Sequence, residues 1–301
     1  MNSLIHIVHI VVLLATTILP QFIIYSAAVN ITEPCITVSG KTDGFGAQYS
    51  AFMSGYALSR YLNKEYCHLP ITKSSIHWIP ITQANLLTGL EILGNKDEEG
   101  LKCVERCKIQ PHYHSEIESI GVNDVYTLQI RNELRSMYNK GVEKVDSLVI
   151  YNNKKNNLHQ KNQKPLLIGK AKCKYGDLNG PHVAVHIRRG DVSNFNRNKI
   201  RYTSTHDFIS IMEHVKTTIL QTNHNSSPLF HIFTEKGGIN NTEKLLLFGS
   251  NQKMSRRRRI LIRDTESMIR TFQCMVYADY LIMSQSAFSL SAAMLTQGKC
   301  M

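Results

Sequence analysis

Lysine and arginine are missing from residues 1–40, where Glu33 is the one formal charge at neutral pH. Proline (8) and glycine (17) are scarce, which excludes a collagen-like chain or a proline-rich linker protein. Seven cysteines in 301 residues are too few for a miniprotein held together by disulfides alone. No Asp-x-Asp pair occurs anywhere, so the commonest carboxylate arrangement for a metal bound to a nucleotide is lacking. What remains is ordinary for a globular protein. Hydrophobic residues make up 43% and charged residues 19%, enough apolar side chain for a substantial core. The length fits one large α/β domain or two closely packed lobes. Lys and Arg total 35 against 23 Asp and Glu, a net charge of +12. This balance favours an anionic partner: nucleic acid, an anionic lipid or glycan surface, or a phosphorylated small molecule.

Leu4 to Ala28 is an apolar run broken by two histidines, Pro20 and Gln21. It is long enough to approach a bilayer span, and Ser26-Ala-Ala28 supplies the small residues a signal peptidase reads. Residues 1–28 are therefore expected to be a signal peptide or an uncleaved type II anchor, with membrane anchoring through residues 4–28; a buried core helix is the alternative. Three Asn-x-Ser/Thr sequons, at Asn30, Asn225 and Asn240, agree with exposure in the lumen of the ER or Golgi or with secretion. The odd cysteine count leaves at least one thiol free or paired between chains. Such a setting argues against nucleic acid and for a nucleotide sugar or glycan.

Cys35 to Val38 reads as a strand leading into the glycine-rich turn at 39–46, and Ala47 to Tyr61 reads as a helix. Cys67–Pro70 and Ser75–Trp78 are expected as short strands or loops, and 81–146 as mostly helical, for instance Val125 to Tyr138. Lys140 to Lys174 carries nine lysines and two acids, the composition of an exposed basic connection. Beyond it, strands at 182–187, 229–233, 260–262 and 279–283 alternate with helices at 207–220, 241–248, 265–276 and 287–295. Four βα units in a row predict a parallel sheet covered on both faces. The expected organisation is an N-terminal α/β lobe over 36–150, a connection over 151–175, and a C-terminal Rossmann-like lobe over 176–301.

The strongest chemical signal is His186-Ile-Arg-Arg-Gly-Asp191, at the carboxyl end of the best strand, where open α/β sheets bind ligands. Arg188 and Arg189 are costly to bury unless an anion meets them, and guanidinium groups grip phosphate oxygens bidentately. Gly190 permits a tight turn, and Asp191 can hold one arginine in place. A structural ion pair plus an exposed loop arginine is the plainer account of the same residues. Arg189-Gly-Asp191 is also the tripeptide integrins read, but it abuts a buried strand.

The segment resembles the His-x-Arg-Arg-x-Asp signature of the alpha-1,2-, alpha-1,6- and protein O-fucosyltransferase superfamily, and is most similar to its alpha-1,2-fucosyltransferase-like branch. Val192 stands where that branch has tyrosine. Asp43-Gly-Phe-Gly-Ala-Gln-Tyr49 is similar to the family's N-terminal glycine-rich segment, with Ala47 in place of asparagine. Phe230-His-Ile-Phe-Thr-Glu235 resembles the family's I-F-S-D/E strand end. Ala278 to Ser289 resembles its late S-S-F-S segment, with Ala287 in place of a serine. The resemblance implies a GT-B-like α/β fold of two Rossmann-like lobes with parallel sheets, and inverting transfer of fucose from GDP-fucose to a glycan or glycoprotein acceptor. It implies no metal and no cofactor. Arg188, Arg189, Asp191 and His186 would be the catalytic set, with Arg188 the main contact to the β-phosphate. Glu235, Ser284, Ser286, Phe288 and Ser289 would bind the donor, joined from the first lobe by Gly44, Phe45, Gly46 and Gln48. Capping of a helix by the serines, a loop acid at Glu235 and a structural glycine turn are the plainer alternatives. The base that takes the acceptor proton is unassigned, with Asp43 and Asp191 as candidates. A glycosyltransferase using another nucleotide sugar, or an inactive glycan- or nucleotide-binding protein, are the rival readings.

Two further clusters stand out. Cys103, Cys107, His112 and His114 are four zinc-type ligands at a spacing unlike standard zinc motifs, so disulfide pairing is the favoured reading. Arg256–Arg259 reads as a solvated approach to a strand, an acidic-glycan contact or a processing site.

Overall fold

Two parallel sheets organise the chain in the computed structural model, which describes residues 31–39, 44–71, 81–89, 105–156, 180–192, 199–222, 227–248 and 259–301. The first sheet contains β1 (Cys35–Val38), β2 (Glu65–Tyr66) and β3 (Cys107–Gln110) in the order β2-β1-β3. Around it lie α1 (Phe45–Tyr61), α2 (Ile81–Leu87), α3 (His114–Ile120), α4 (Val122–Val125) and α5 (Leu128–Asn156). The second sheet contains β4 (His182–His186), β5 (Leu229–Phe233), β6 (Ile260–Arg263), β7 (Tyr280–Ile282) and β8 (Lys299–Cys300). Its helices are α6 (Thr205–Thr222), α7 (Asn241–Phe248), α8 (Met268–Val276) and α9 (Ala287–Leu295). The expected GT-B-like α/β architecture is present as two parallel sheets, each with its own helices.

The strand order of the second sheet is β6-β5-β4-β7-β8, with every pair parallel. The chain enters at β4 in the middle, winds outward through β5 and β6, then returns to the other side of β4 as β7. This reversal makes the β4–β7 edge a topological switch point, the place where such sheets open a crevice beyond their carboxyl ends.

Alternation along the strands assigns the two faces. Val183, Val185, Phe230, Ile232 and Ile282 pack on Phe208, Met212, Val215 and Ile219, the helical stripe of α6. Ala184, Leu229, Phe233 and Leu281 belong instead to a cluster that runs through α8 and α9 into the first lobe. Phe272 is its centre, edge-on to Phe45 at 5.3 Å, Tyr49 at 5.7 Å and Tyr138 at 5.8 Å. The two lobes therefore share one core.

Three features differ from the sequence expectation. Helix α5 runs past residue 146, the end of the stretch expected to be mostly helical. The buried stripe Ile130, Leu134, Tyr138 continues through Val142 and Val145, while Lys140 and Lys144 face solvent, so the helix carries the first part of the basic stretch as far as Asn156. The rest of the expected connection lies outside the described residues. Second, β3 falls inside a stretch read as helical. Its Cys107 sits opposite Cys35 in the β1–β3 register, and the two form a disulfide across 72 residues. That bond removes Cys107 from any zinc site. Third, a short strand, β2, forms at Glu65–Tyr66, just ahead of the expected stretch; 67–70 is loop, one of the two forms expected there, and 75–78 lies outside the described residues. Cys67 and Cys274 are also disulfide-bonded, and Cys300 is free and exposed. Among the described residues no helix is long and apolar enough to cross a membrane; the apolar run at 4–28 lies outside them.

Candidate functional site

β4 ends at His186, and the chain then turns sharply, with Gly190 at φ +67°, a backbone conformation that suits glycine. The turn is fastened to the neighbouring strand: Ile187 N–H donates to the Phe233 carbonyl at 2.9 Å, and Arg189 N–H donates to Glu235 Oε2 at 2.9 Å. Glu235 thus buttresses the turn from the end of β5.

The two adjacent arginines have opposite fates. Arg189 is buried, and all five of its N–H donors are used. Nε and Nη2 reach Glu243 Oε1 at 3.1 and 2.9 Å. Nη2 also meets Thr205 Oγ1 at 3.1 Å, and Nη1 meets the carbonyls of Arg188 and Thr203 at 3.0 and 3.2 Å. Its guanidinium lies 4.6 Å from the centre of the Tyr202 ring. No donor of Arg189 is left for a ligand, which departs from the expectation that both arginines meet an anion. Burial alone would raise the Glu243 carboxyl, but hydrogen bonds from Thr205, the Asn240 backbone and Arg189 outweigh it and hold the group below its ordinary range.

Arg188 retains spare donors. Nη2 lies 2.9 and 3.0 Å from the two carboxylate oxygens of Asp191, and Nη1 lies 3.2 Å from Ser286 Oγ. Nε is buried without a partner among the described residues, and the side chain is 23% exposed. Ser286 caps α9, accepting the Phe288 N–H at 3.3 Å. Arg188 therefore bridges the ends of β4 and β7 at the switch point. Beneath it His186 Nδ1 lies 2.8 Å from Ser284 Oγ, and its ring packs 5.5 Å from Phe288. Burial, helped by the Arg188 charge, lowers the imidazole to about 3, so it is neutral near pH 7. Ser289 is buried and directs its hydroxyl to the carbonyls of Ser284 and Ser286. It shapes the turn and presents no hydroxyl to the crevice.

The first lobe meets this corner through α1. Gly44 precedes its first turn, which no side chain caps. A Cβ on Gly46 would lie 2.4 Å from Phe288 Cα, so glycine is what lets the N-termini of α1 and α9 touch. Ser291 Oγ seals the contact on the Gly46 carbonyl at 3.0 Å. Phe45 points into the shared core rather than the crevice, and Gln48 is buried. Two helix N-termini and Arg188 thus converge on one corner, a concentration of positive potential suited to a polyanion. Asp43 lies outside the described residues.

Glu243, Thr205 and Tyr202 surround Arg189 although the motif itself does not point to them. A signal for Glu243 exists: Asn240-x-x-Glu243 precedes an apolar run and forms a capping box. Glu243 N–H donates to Asn240 Oδ1 at 2.9 Å, and Asn240 N–H to Glu243 Oε2 at 3.1 Å. Among the described residues no group of three or more His, Cys, Asp or Glu side chains is placed to hold a metal ion.

No protein-family model matches the chain, and no curated protein matches it. The solved apo structure of POFUT1 is similar at a TM-score of 0.32 and 11% identity, over 90% of this chain and 99% of that one. At that level the fold and the site are read from this chain's own residues: a GT-B-like α/β protein in which Arg188 and Ser286 meet at the switch point of the second sheet.

Proposed function

We propose that this chain is a glycosyltransferase that passes fucose from GDP-fucose to a glycan or glycoprotein acceptor, with inversion at the sugar carbon and without a metal. The observation that carries this reading is the Arg188–Ser286 bridge across the β4–β7 switch point, beside the joined N-termini of α1 and α9.

Breaking the fucosyl–phosphate bond builds oxocarbenium character on the sugar and negative charge on departing GDP. A fixed cation at the β-phosphate acts most strongly when that charge is fully developed, which lowers the barrier rather than only tightening binding. Arg188 suits this role because Asp191 and Ser286 fix its plane while Nε–H and one Nη1–H have no hydrogen-bond partner among the described residues. Arg189 serves from behind: its closed ion pair with Glu243 holds the turn that presents Arg188. Ser286 and the α9 backbone supply further donors to the diphosphate. Disulfides at Cys35, Cys67, Cys107 and Cys274 support a secretory-pathway protein, since such bonds persist in oxidising compartments.

The test is release of GDP from GDP-fucose in the presence of EDTA and a panel of glycan acceptors, using the full chain. Turnover that requires a different donor reassigns the sugar. A thermal shift by GDP with no turnover on any donor makes the chain a binding protein.

A further inference from the structure

The proposed reaction needs a group to accept the acceptor's hydroxyl proton, and the obvious candidates in the second lobe are engaged. Asp191 is held by Arg188, Glu235 accepts the Arg189 N–H, and His186 is buried with Nδ1 engaged by Ser284 Oγ. The first lobe supplies an alternative. Helix α1 starts just after β1, and α9 starts just after β7, and the two touch at Gly46 and Phe288, so the chain leaving the carboxyl end of β1 meets the chain leaving that of β7. β3 lies directly beside β1, and its carboxyl end continues into Pro111-His-Tyr-His114.

Tyr113 pins this segment. Its side chain is fully buried, its hydroxyl lies 3.1 Å from the Thr37 carbonyl and 2.7 Å from that of Lys108, and its N–H donates to Ser54 Oγ at 3.1 Å. The flanking imidazoles of His112 and His114 stack on each other, with centroids 4.8 Å apart and planes inclined by 18°. His114 Nε2 lies 3.4 Å from Ser50 Oγ on α1. His112 Nδ1 is buried without a partner among the described residues, which leaves Nε2 as the nitrogen free to meet a substrate.

We propose that His112 is the general base of this chain, with His114 as the positioning residue that fixes its ring by stacking. This rests on the glycosyltransferase reading and deepens it. The acceptor hydroxyl proton moves to His112 Nε2 as the oxygen's lone pair bonds to the anomeric carbon. The bond from that carbon to the β-phosphate oxygen breaks, and its electrons leave with GDP, where Arg188 meets the charge. The imidazolium then returns its proton to water.

The experiment measures kcat, acceptor KM and the GDP-induced thermal shift for the full chain carrying His112→Ala, and repeats the rates with added imidazole. Loss of a general base costs on the order of 10²-fold or more in kcat. That loss is expected with acceptor KM and the GDP shift unchanged, and free imidazole should restore part of the rate. His114→Phe keeps a ring for stacking and should retain most activity, whereas His114→Ala should not. If His112→Ala fails to fold, His112→Gln replaces it. Activity of the His112 variant within about twofold of the parent overturns the proposal, and so does a loss that imidazole leaves unrestored. Absence of turnover in the parent chain overturns the transferase reading itself, and this inference with it.

Discussion

Arg189 and Glu243, 54 residues apart, are joined by two hydrogen bonds to a single oxygen: Nε at 3.1 Å and Nη2 at 2.9 Å both reach Oε1. Thr205 Oγ1 adds a third at 2.7 Å. Both side chains are largely buried, 7% and 13% exposed. Removing one partner strands the other charge, so Arg189→Ala is expected to cost about 3–5 kcal/mol of stability. The double variant Arg189→Met, Glu243→Leu should recover much of that loss. Urea denaturation of the three proteins checks both statements; a single variant as stable as the parent sinks them.

Arg188 is expected to behave in the opposite way. Its partner Asp191 is 56% exposed, so losing the pair should change stability by no more than about 1 kcal/mol. Turnover, however, should fall by roughly 10²-fold or more for Arg188→Ala, the scale seen when a donor to a developing anion is removed. Arg188→Lys keeps the charge but not the planar fork, and should also be poor. Melting curves and GDP release, measured side by side, separate this residue from Arg189.

Gly46→Ala places a methyl group against backbone, not against a side chain that can swing away. Overpacking of this kind costs about 1–3 kcal/mol. Because α1 and α9 must move apart to relieve it, GDP affinity should weaken together with stability. An alanine variant that melts and binds like the parent contradicts the close approach.

Acid should destabilise the fold in two stages. His68 is lowered to about 4 by burial. His186 and His231 are lowered to about 3, again mainly by burial, with Arg188 contributing at the first and Arg263 at the second. In the unfolded chain they take up protons near the ordinary value of 6.5, so stability is complete above that pH and declines as pH falls toward 4 and 3. Below 4.5 the depressed carboxyls of Glu243 and of Glu133, the latter held down chiefly by Arg60, add to the decline as they protonate. Urea midpoints should fall steadily from about pH 7 downward; a flat profile to about pH 4.5 contradicts the histidine assignments.

The Cys35–Cys107 disulfide closes a long loop across neighbouring strands. The chain-entropy relation gives about 4 kcal/mol for a loop of that size. Reduction should lower the melting temperature well beyond the effect of the reductant on a Cys35→Ser, Cys107→Ser control, which lacks this bond from the start. Of the thiols described, Cys300 should label first in the native state, since it is exposed and unbonded.

The second lobe was legible because β-branched strands alternate with amphipathic helices, and β5, α7 and α9 fall where the pattern puts them. The first lobe was less so. β2 and β3 have two and four residues, too few for a period to show, and the latter half of α5 is rich in lysine, so its stripe reduces to Val142 and Val145. The Arg188-Arg189 motif was visible, but its division of labour was not. That division depends on Glu243 and Thr205, which only the β4–β5–α7 topology brings to the same place.

The aromatic cluster centred on Phe272 has a kinetic consequence. With Phe45, Tyr49 and Tyr138 interlocked around it, the lobes cannot swing apart like the jaws of a clamp without breaking their common interior. Any motion of one sheet against the other must then break close-packed aromatic contacts, which sets its barrier well above that of a loop rearrangement at the surface.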